Sequence, residues 1–264
     1  MAAKISAMRP GVDSERTCSR TNLSLVASAG RLVYRVARKD IGPLSPRSRP
    51  TGGPRDNWSR YDIPRRKTVY CGSTFIGAYT EAMYWAKQPL PEIIHTLALE
   101  LEKSGDEFCR EVALQWTKSH MSPHCLSAGW RERRKLYTLK LPSKGWFVDV
   151  SASGTVAAIR NGIGSGSRSM SGITLGDISG DNRGVTTGIA ERLAVTKLDD
   201  GTLPLGVRFQ SKHGADLECW AIWLPPAGSK VAAPKDIGEG FSIPNAVASK
   251  DVEFVCKSLG IRIH

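Results

Sequence analysis

"VYCGSTFIGAYTEAMYWA", residues 69–86, reads as the end of a strand, a tight turn and a helix in quick succession. Its opening belongs to "KTVYCG", whose β-branched and aromatic residues suit a strand. Ser73 or Thr74 then stands where a side-chain oxygen can accept a hydrogen bond from the first free amides of a helix. Between Lys67 and Lys87 the chain carries one formal charge, Glu81, set among Ala, Met, Tyr and Trp. Burying an unpaired carboxylate costs on the order of several kcal/mol unless hydrogen bonds or a cation compensate. Glu81 is therefore expected either to point into a cleft beside Tyr70 or to lie on the exposed side of its helix.

The flanking sequence sets this unit in a larger frame. "RLVYRV" at 31–36 has strand composition, and "PLSPRSRPTGGPRDN" at 43–57 is a loop by its Pro and Gly density. Residues 1–28, rich in Ser, Arg, Ala and Thr without an apolar period, predict a mobile N-terminal tail. From 88 to about 120 the pattern turns helical, with Ile93, Ile94, Leu97 and Leu101 on one stripe. "RKLYTLKLP" and "WFVDV" read as strands, and "NGIGSGSRSMSG" at 161–172 as a flexible loop. After it come a helix in "GVTTGIAERLAVTKL", two adjacent strands in "LGVRFQS" and "ECWAIWLP", and a short helix with a final extended piece in "SKDVEFVCKSLGIRIH". Strands and helices alternate without a regular βαβ rhythm, which argues for an α+β fold with a mixed sheet. No self-similarity at a fixed period occurs, so a repeat array is excluded.

Composition narrows the class. A chain of 264 residues with 41% apolar and 23% charged residues belongs with folded proteins. No stretch reaches about 18 uninterrupted apolar residues, so no membrane span is expected. Asp13, Glu15 and Arg16 precede any apolar run of signal-peptide length, and the expected location is the cytoplasm. Six scattered cysteines without a CxxC motif fit reduced thiols. Of the net charge of +12, much is local: residues 9–67 hold fourteen Lys and Arg against five Asp and Glu. This basic quarter suits an anionic ligand, an acidic partner or RNA, and charge alone does not choose among them.

Several chemistries fall away. His120 and His124 have helical spacing near Cys109 and Cys125, but Pro123 breaks the helix and no full ligand set forms, so no metal site is expected. Gly162, Gly164 and Gly166 imitate a dinucleotide fingerprint with Asp181 downstream, yet the third glycine is misplaced. GxSxG, the Walker lysine motif and HExxH are absent.

What remains is an ordered series: Arg35 in "LVYRV", Arg60 and Tyr61 in "NWSRYD", Tyr70 in "KTVYCGS", Glu81 in "AYTEAM" and Ser211 in "LGVRFQSKHG". Its order and spacing resemble the RES domain family. There, an arginine at the end of the first strand precedes an Arg-aromatic-Asp/Asn element and a Tyr at a strand end. A Glu follows that Tyr by eleven residues, and a Gly-hydrophobic-x-aromatic-x-Ser strand comes much later. The resemblance runs from about residue 31 to 224 and implies a RES-like catalytic domain at 29–226. Residues 88–130 then stand as a helical insertion and 227–264 as a C-terminal extension. The family's glycine pair before the arginine-aromatic element has only a displaced counterpart in Gly52 and Gly53.

The resemblance implies a mixed β-sheet core of ADP-ribosyltransferase-like type and a cytoplasmic toxin of a bacterial toxin-antitoxin pair that degrades NAD. NAD is then the substrate, and no cofactor is called for. Cleaving the nicotinamide–ribose bond develops oxocarbenium character, which a carboxylate near the ribose stabilises. That role falls to Glu81, with Tyr70 facing the nicotinamide ring. Arg35 and Arg60 would grip the pyrophosphate, and Tyr61 and Ser211 complete the substrate site. Water as acceptor makes the protein a glycohydrolase, phosphate a phosphorylase, and a protein side chain an ADP-ribosyltransferase. A separately encoded antitoxin is the implied partner. A noncatalytic basic module binding RNA or an acidic partner through residues 9–67 stays open beside the enzyme; the spacing of Tyr70 and Glu81 favours the enzyme over nucleic-acid binding.

Overall fold

The computed structural model describes residues 14–87, 110, 111, 114, 124–163, 172–245 and 248–263. Its first strands, β1 (Glu15–Thr17) and β2 (Ser24–Ala27), fall where a mobile tail was expected. Then come β3 (Leu32–Arg38), β4 (Thr68–Gly72), helix α1 (Phe75–Met83), β5 (Cys125–Leu126), α2 (Ala128–Glu132), β6 (Arg134–Lys140) and β7 (Trp146–Asp149). The chain continues through α3 (Ser153–Arg160), α4 (Leu175–Ser179), α5 (Arg183–Val195), β8 (Gly206–Ser211), β9 (Gly214–Trp223), β10 (Lys235–Asp236) and β11 (Phe241–Ser242). It closes with α6 (Lys250–Leu259) and β12 (Arg262–Ile263).

The architecture is α+β around a ten-stranded mixed sheet of order β1-β2-β7-β8-β9-β4-β3-β6-β10, with β11 also on β6. Only β7 and β8 run parallel in this sheet; its other described pairs are antiparallel. Chain connectivity forces the sheet to curl. β2 and β3 lie five places apart in the sheet order, a span of about 24 Å if the sheet were flat. The five steps from Ala27 to Leu32 reach at most about 18 Å. The connection from Lys140 to Trp146 joins the same two halves under the same constraint. One half, β1-β2-β7-β8-β9-β4, therefore folds over the other, β3-β6-β10.

Three apolar layers follow. Between the halves lie Val26, Val33, Val69, Leu139, Phe147 and Trp220. The outer face of the larger half packs Val148, Val207 and Phe209 against Ile159, Ile178 and Ile189 from α3, α4 and α5. On the smaller half, Leu136 of β6 packs with Met83 of α1 and Val252 and Val255 of α6.

The mobile tail expected at 1–28 is corrected over residues 15–28, because Leu23, Leu25 and Val26 are core residues and β2 pairs with β7. The C-terminal extension expected at 227–264 packs on the same sheet, where β10 and β11 extend it at β6 and α6 lies against α1. Most of the helical insertion expected at 88–130 lies outside the described residues, as does His120 of the histidine pair that was set aside. Within that range, β5 pairs in parallel with β12 and α2 leads into β6. Among the described residues no helix is long and apolar enough to cross a membrane.

Helix α1 is placed by its first turn. Thr74 caps it, its Oγ1 accepting from the Gly77 amide at 3.0 Å. A Cβ on Gly72 would come within 2.7 Å of the Ala78 backbone nitrogen, so only glycine lets the helix sit this close to the end of β4.

Candidate functional site

β3 pairs with β6 over seven residues and β4 with β9 over five, but β3 and β4 meet only at Tyr34 and Gly72. Beyond that point the two strands diverge and open a cleft of about 700 Å³. Arg35 reaches it from β3, Tyr70 from β4, Arg60 from the loop between them, Glu81 from α1 and Phe209 from β8. Four of the six residues picked out from sequence thus line one cavity although they span 47 positions, from 35 to 81. Ser211 joins them through Glu81; the Tyr61 side chain does not, and its backbone N–H reaches Tyr70 instead.

Of the two settings expected for Glu81, a cleft beside Tyr70 and an exposed helix side, the structure combines both: it lines the cleft and is exposed. Its desolvation cost is avoided rather than compensated. One oxygen, Oε1, accepts a 2.5 Å hydrogen bond from Ser211 Oγ and a longer contact of 3.8 Å from Cys219 Sγ. Burial pushes the Cys219 thiol well above its usual pKa, with the Glu81 charge adding to the shift, so the sulfur stays a neutral donor. Ser211 Oγ in turn accepts from the His213 amide at 3.0 Å. The His213 ring stacks on Tyr84 with centroids 3.5 Å apart, and burial lowers its pKa against the pull of Glu81. The turn between β8 and β9 therefore grips the last turns of α1 at two places.

Tyr70 is half-buried with its hydroxyl fully engaged. It donates to Asp62 Oδ1 at 3.0 Å and accepts from the Tyr61 amide at 2.9 Å. Burial, reinforced by the Asp62 charge, raises the phenol well above its ordinary pKa of 10. Tyr61, expected to bind substrate, is wholly buried in the outer core. Its hydroxyl donates to the Ile178 carbonyl at 3.0 Å, and burial pushes the phenol up to about 12. Its contribution to the cleft is its backbone N–H.

The two expected arginines differ in setting. Arg60 is buried, donates from Nη1 to the Ser179 carbonyl at 2.9 Å, and lies 5.1 Å over the Phe209 ring. Among the described residues Arg35 has one long contact, Nη1 to the Tyr70 carbonyl at 3.5 Å, and its Nε, shut off from solvent, has no partner. Burial lowers its pKa. Neither guanidinium has a carboxylate within 4.0 Å among the described residues, and Glu81 has no cation within that distance among them. Thr68 Oγ1, which also lines the cleft, is a second buried polar atom without a partner.

Residues not foreseen from sequence complete the walls. Buried Asp62 and half-buried Arg49 form an ion pair at 2.6 Å. Lys212 and Arg183, which line the cleft, share Asp181 at 3.0 and 3.3 Å. Asp62 stood in the quoted "NWSRYD" element and could have been found there; Lys212 and Arg183 carry no local signal. Among the described residues no group of three or more His, Cys, Asp or Glu is placed to hold a metal ion.

No family model matches this chain, and neither a curated protein nor a solved structure does.

Proposed function

We propose that this protein binds NAD in the cleft between β3 and β4 and cleaves its nicotinamide–ribose bond. The observation that carries the reading is the pattern of unmatched charge. The cleft holds two partly buried guanidiniums, Arg35 and Arg60, without carboxylate partners, and one carboxylate, Glu81, that meets only neutral donors. NAD is complementary, with two phosphate charges and one cationic ring. An unpartnered Nε–H within a protein costs about 1–3 kcal/mol, and a phosphate oxygen would recover it. The about 700 Å³ cleft is within the range of ligand sites, and Tyr70 lines it together with both arginines and Glu81.

In this reading Ser211 holds Glu81 in one rotamer, and the carboxylate faces the ribose carbon as positive charge develops there. Tyr70 offers its ring because its hydroxyl is already committed. The ADP-ribosyltransferase-like type of sheet, the toxin role and a separately encoded antitoxin over the cleft mouth belong to the same proposal and rest on the resemblance to the RES domain family.

The test is nicotinamide release from NAD by purified protein, with and without inorganic phosphate. Turnover supports the enzyme, and its phosphate dependence names the acceptor. A folded protein that leaves NAD intact, yet shifts RNA with a steep salt dependence, would move the assignment to a basic binding module.

A further inference from the structure

Asp62 is the most buried carboxylate of the cleft, at 4% exposure. Both its oxygens are occupied. Oδ2 accepts from Arg49 Nε at 2.6 Å and from the Ser59 amide at 2.9 Å, and Oδ1 accepts from Tyr70 Oη at 3.0 Å. Tyr70 Oη then accepts from the Tyr61 amide, so the phenol is held from both sides. Arg49 belongs to a segment bridged to the chain just before β4, at Ser48–Lys67 and Arg49–Pro64. Asp62 thus ties the loop that carries Arg49 to Tyr70 of β4.

From this geometry we infer that Asp62 is a positioning residue for Tyr70. It commits the one phenolic proton of Tyr70, which fixes the ring plane and leaves the ring, not the hydroxyl, to meet a ligand. A ring held from its hydroxyl end cannot tilt toward the gap that the diverging strands leave beside it. The catalytic consequence rests on the NAD reading above; the fixing of Tyr70 does not.

The experiment has two arms on the full chain. In the first, 3-fluorotyrosine replaces the six tyrosines, and Tyr70→Phe identifies the Tyr70 fluorine resonance. Asp62→Ala, which leaves no acceptor for the Tyr70 hydroxyl, is expected to shift or broaden that resonance while the variant keeps its native circular dichroism, whereas Arg49→Met leaves it near its wild-type position. In the second arm, Asp62→Ala lowers kcat for NAD at least tenfold without raising KM more than twofold. In a Tyr70→Phe background the same substitution then costs less than twofold, because it acts through Tyr70. An unmoved Tyr70 resonance in folded Asp62→Ala overturns the proposal, as does an equal kcat loss with and without the Tyr70 hydroxyl. Should Asp62→Ala fail to fold, Asp62→Glu, which keeps the charge but moves it by one methylene, is read in the same way. Absence of wild-type turnover would count against the NAD reading, and the fluorine arm would still decide the role of Asp62.

Discussion

Replacing Arg35 by Met should move stability and ligand affinity in opposite directions. The guanidinium is desolvated, and among the described residues its Nε has no partner and its one hydrogen bond is 3.5 Å long. An unmet buried donor destabilises by about 1–3 kcal/mol, and an apolar side chain of similar length removes that penalty. For a chain of this size each kcal/mol is worth roughly 2–4 °C, so the melting temperature should rise by at least about 2 °C. The same substitution removes charge-assisted hydrogen bonds worth about 1.5–3 kcal/mol each, which predicts roughly a 10- to 150-fold weaker Kd for ADP-ribose. Thermal denaturation followed by circular dichroism, paired with titration calorimetry, reads both. A lower melting temperature with unchanged ADP-ribose affinity would refute the reasoning and make Arg35 a structural residue.

Ser211→Ala should lower kcat about tenfold, the effect of one hydrogen bond of about 1.4 kcal/mol, by freeing Glu81 to leave its rotamer; a KM change with kcat intact would contradict this. Tyr61 and Cys71 are both pushed up to about 12 by burial, and Tyr70 is raised above 10. Their neutral forms are favoured in the fold, so their contribution is fully present below the unfolded values and is lost as pH rises from about 9 toward 12. Urea midpoints measured across that range should fall, and less steeply for Tyr61→Phe. Removing the residues before Ala29 takes away buried Leu23, Leu25 and Val26, at about 1.5–3 kcal/mol each against a typical total of about 5–15 kcal/mol. The truncated chain should lose its cooperative melt, whereas a dispensable tail would leave it unchanged.

Local chemistry made the inner strands and α1 readable. "LVYRV", "TVYC" and "GVRF" carry β-branched and aromatic residues, and Thr74 announces its cap. β1 and β2 were not readable, because "ERT" and "SLVA" have little propensity of their own and become strands through pairing with β7. Helix α3 was hidden for a related reason: "SGTVAAIR" begins with Ser and Gly after an uncapped Ala152, and its buried Val156 and Ile159 supply what propensity does not. The cleft residues Arg35, Arg60, Tyr70 and Glu81 could be named through the resemblance that their order and spacing carry. Their meeting place could not, since it depends on β3 and β4 parting after one pair, a feature of backbone register. Tyr61 shows the converse, a residue picked out for its side chain whose N–H is the group that reaches the site.

The central claim is most directly tested by nicotinamide release from NAD with Glu81→Gln beside the wild type. Glu81 is exposed, and a glutamine Oε1 can still accept from Ser211, so fold and melting temperature should be unchanged. Loss of the charge should lower kcat by roughly a hundredfold or more, the scale of removing one group that stabilises a charged transition state. A folded Glu81→Gln protein that releases nicotinamide at the wild-type rate would contradict the account.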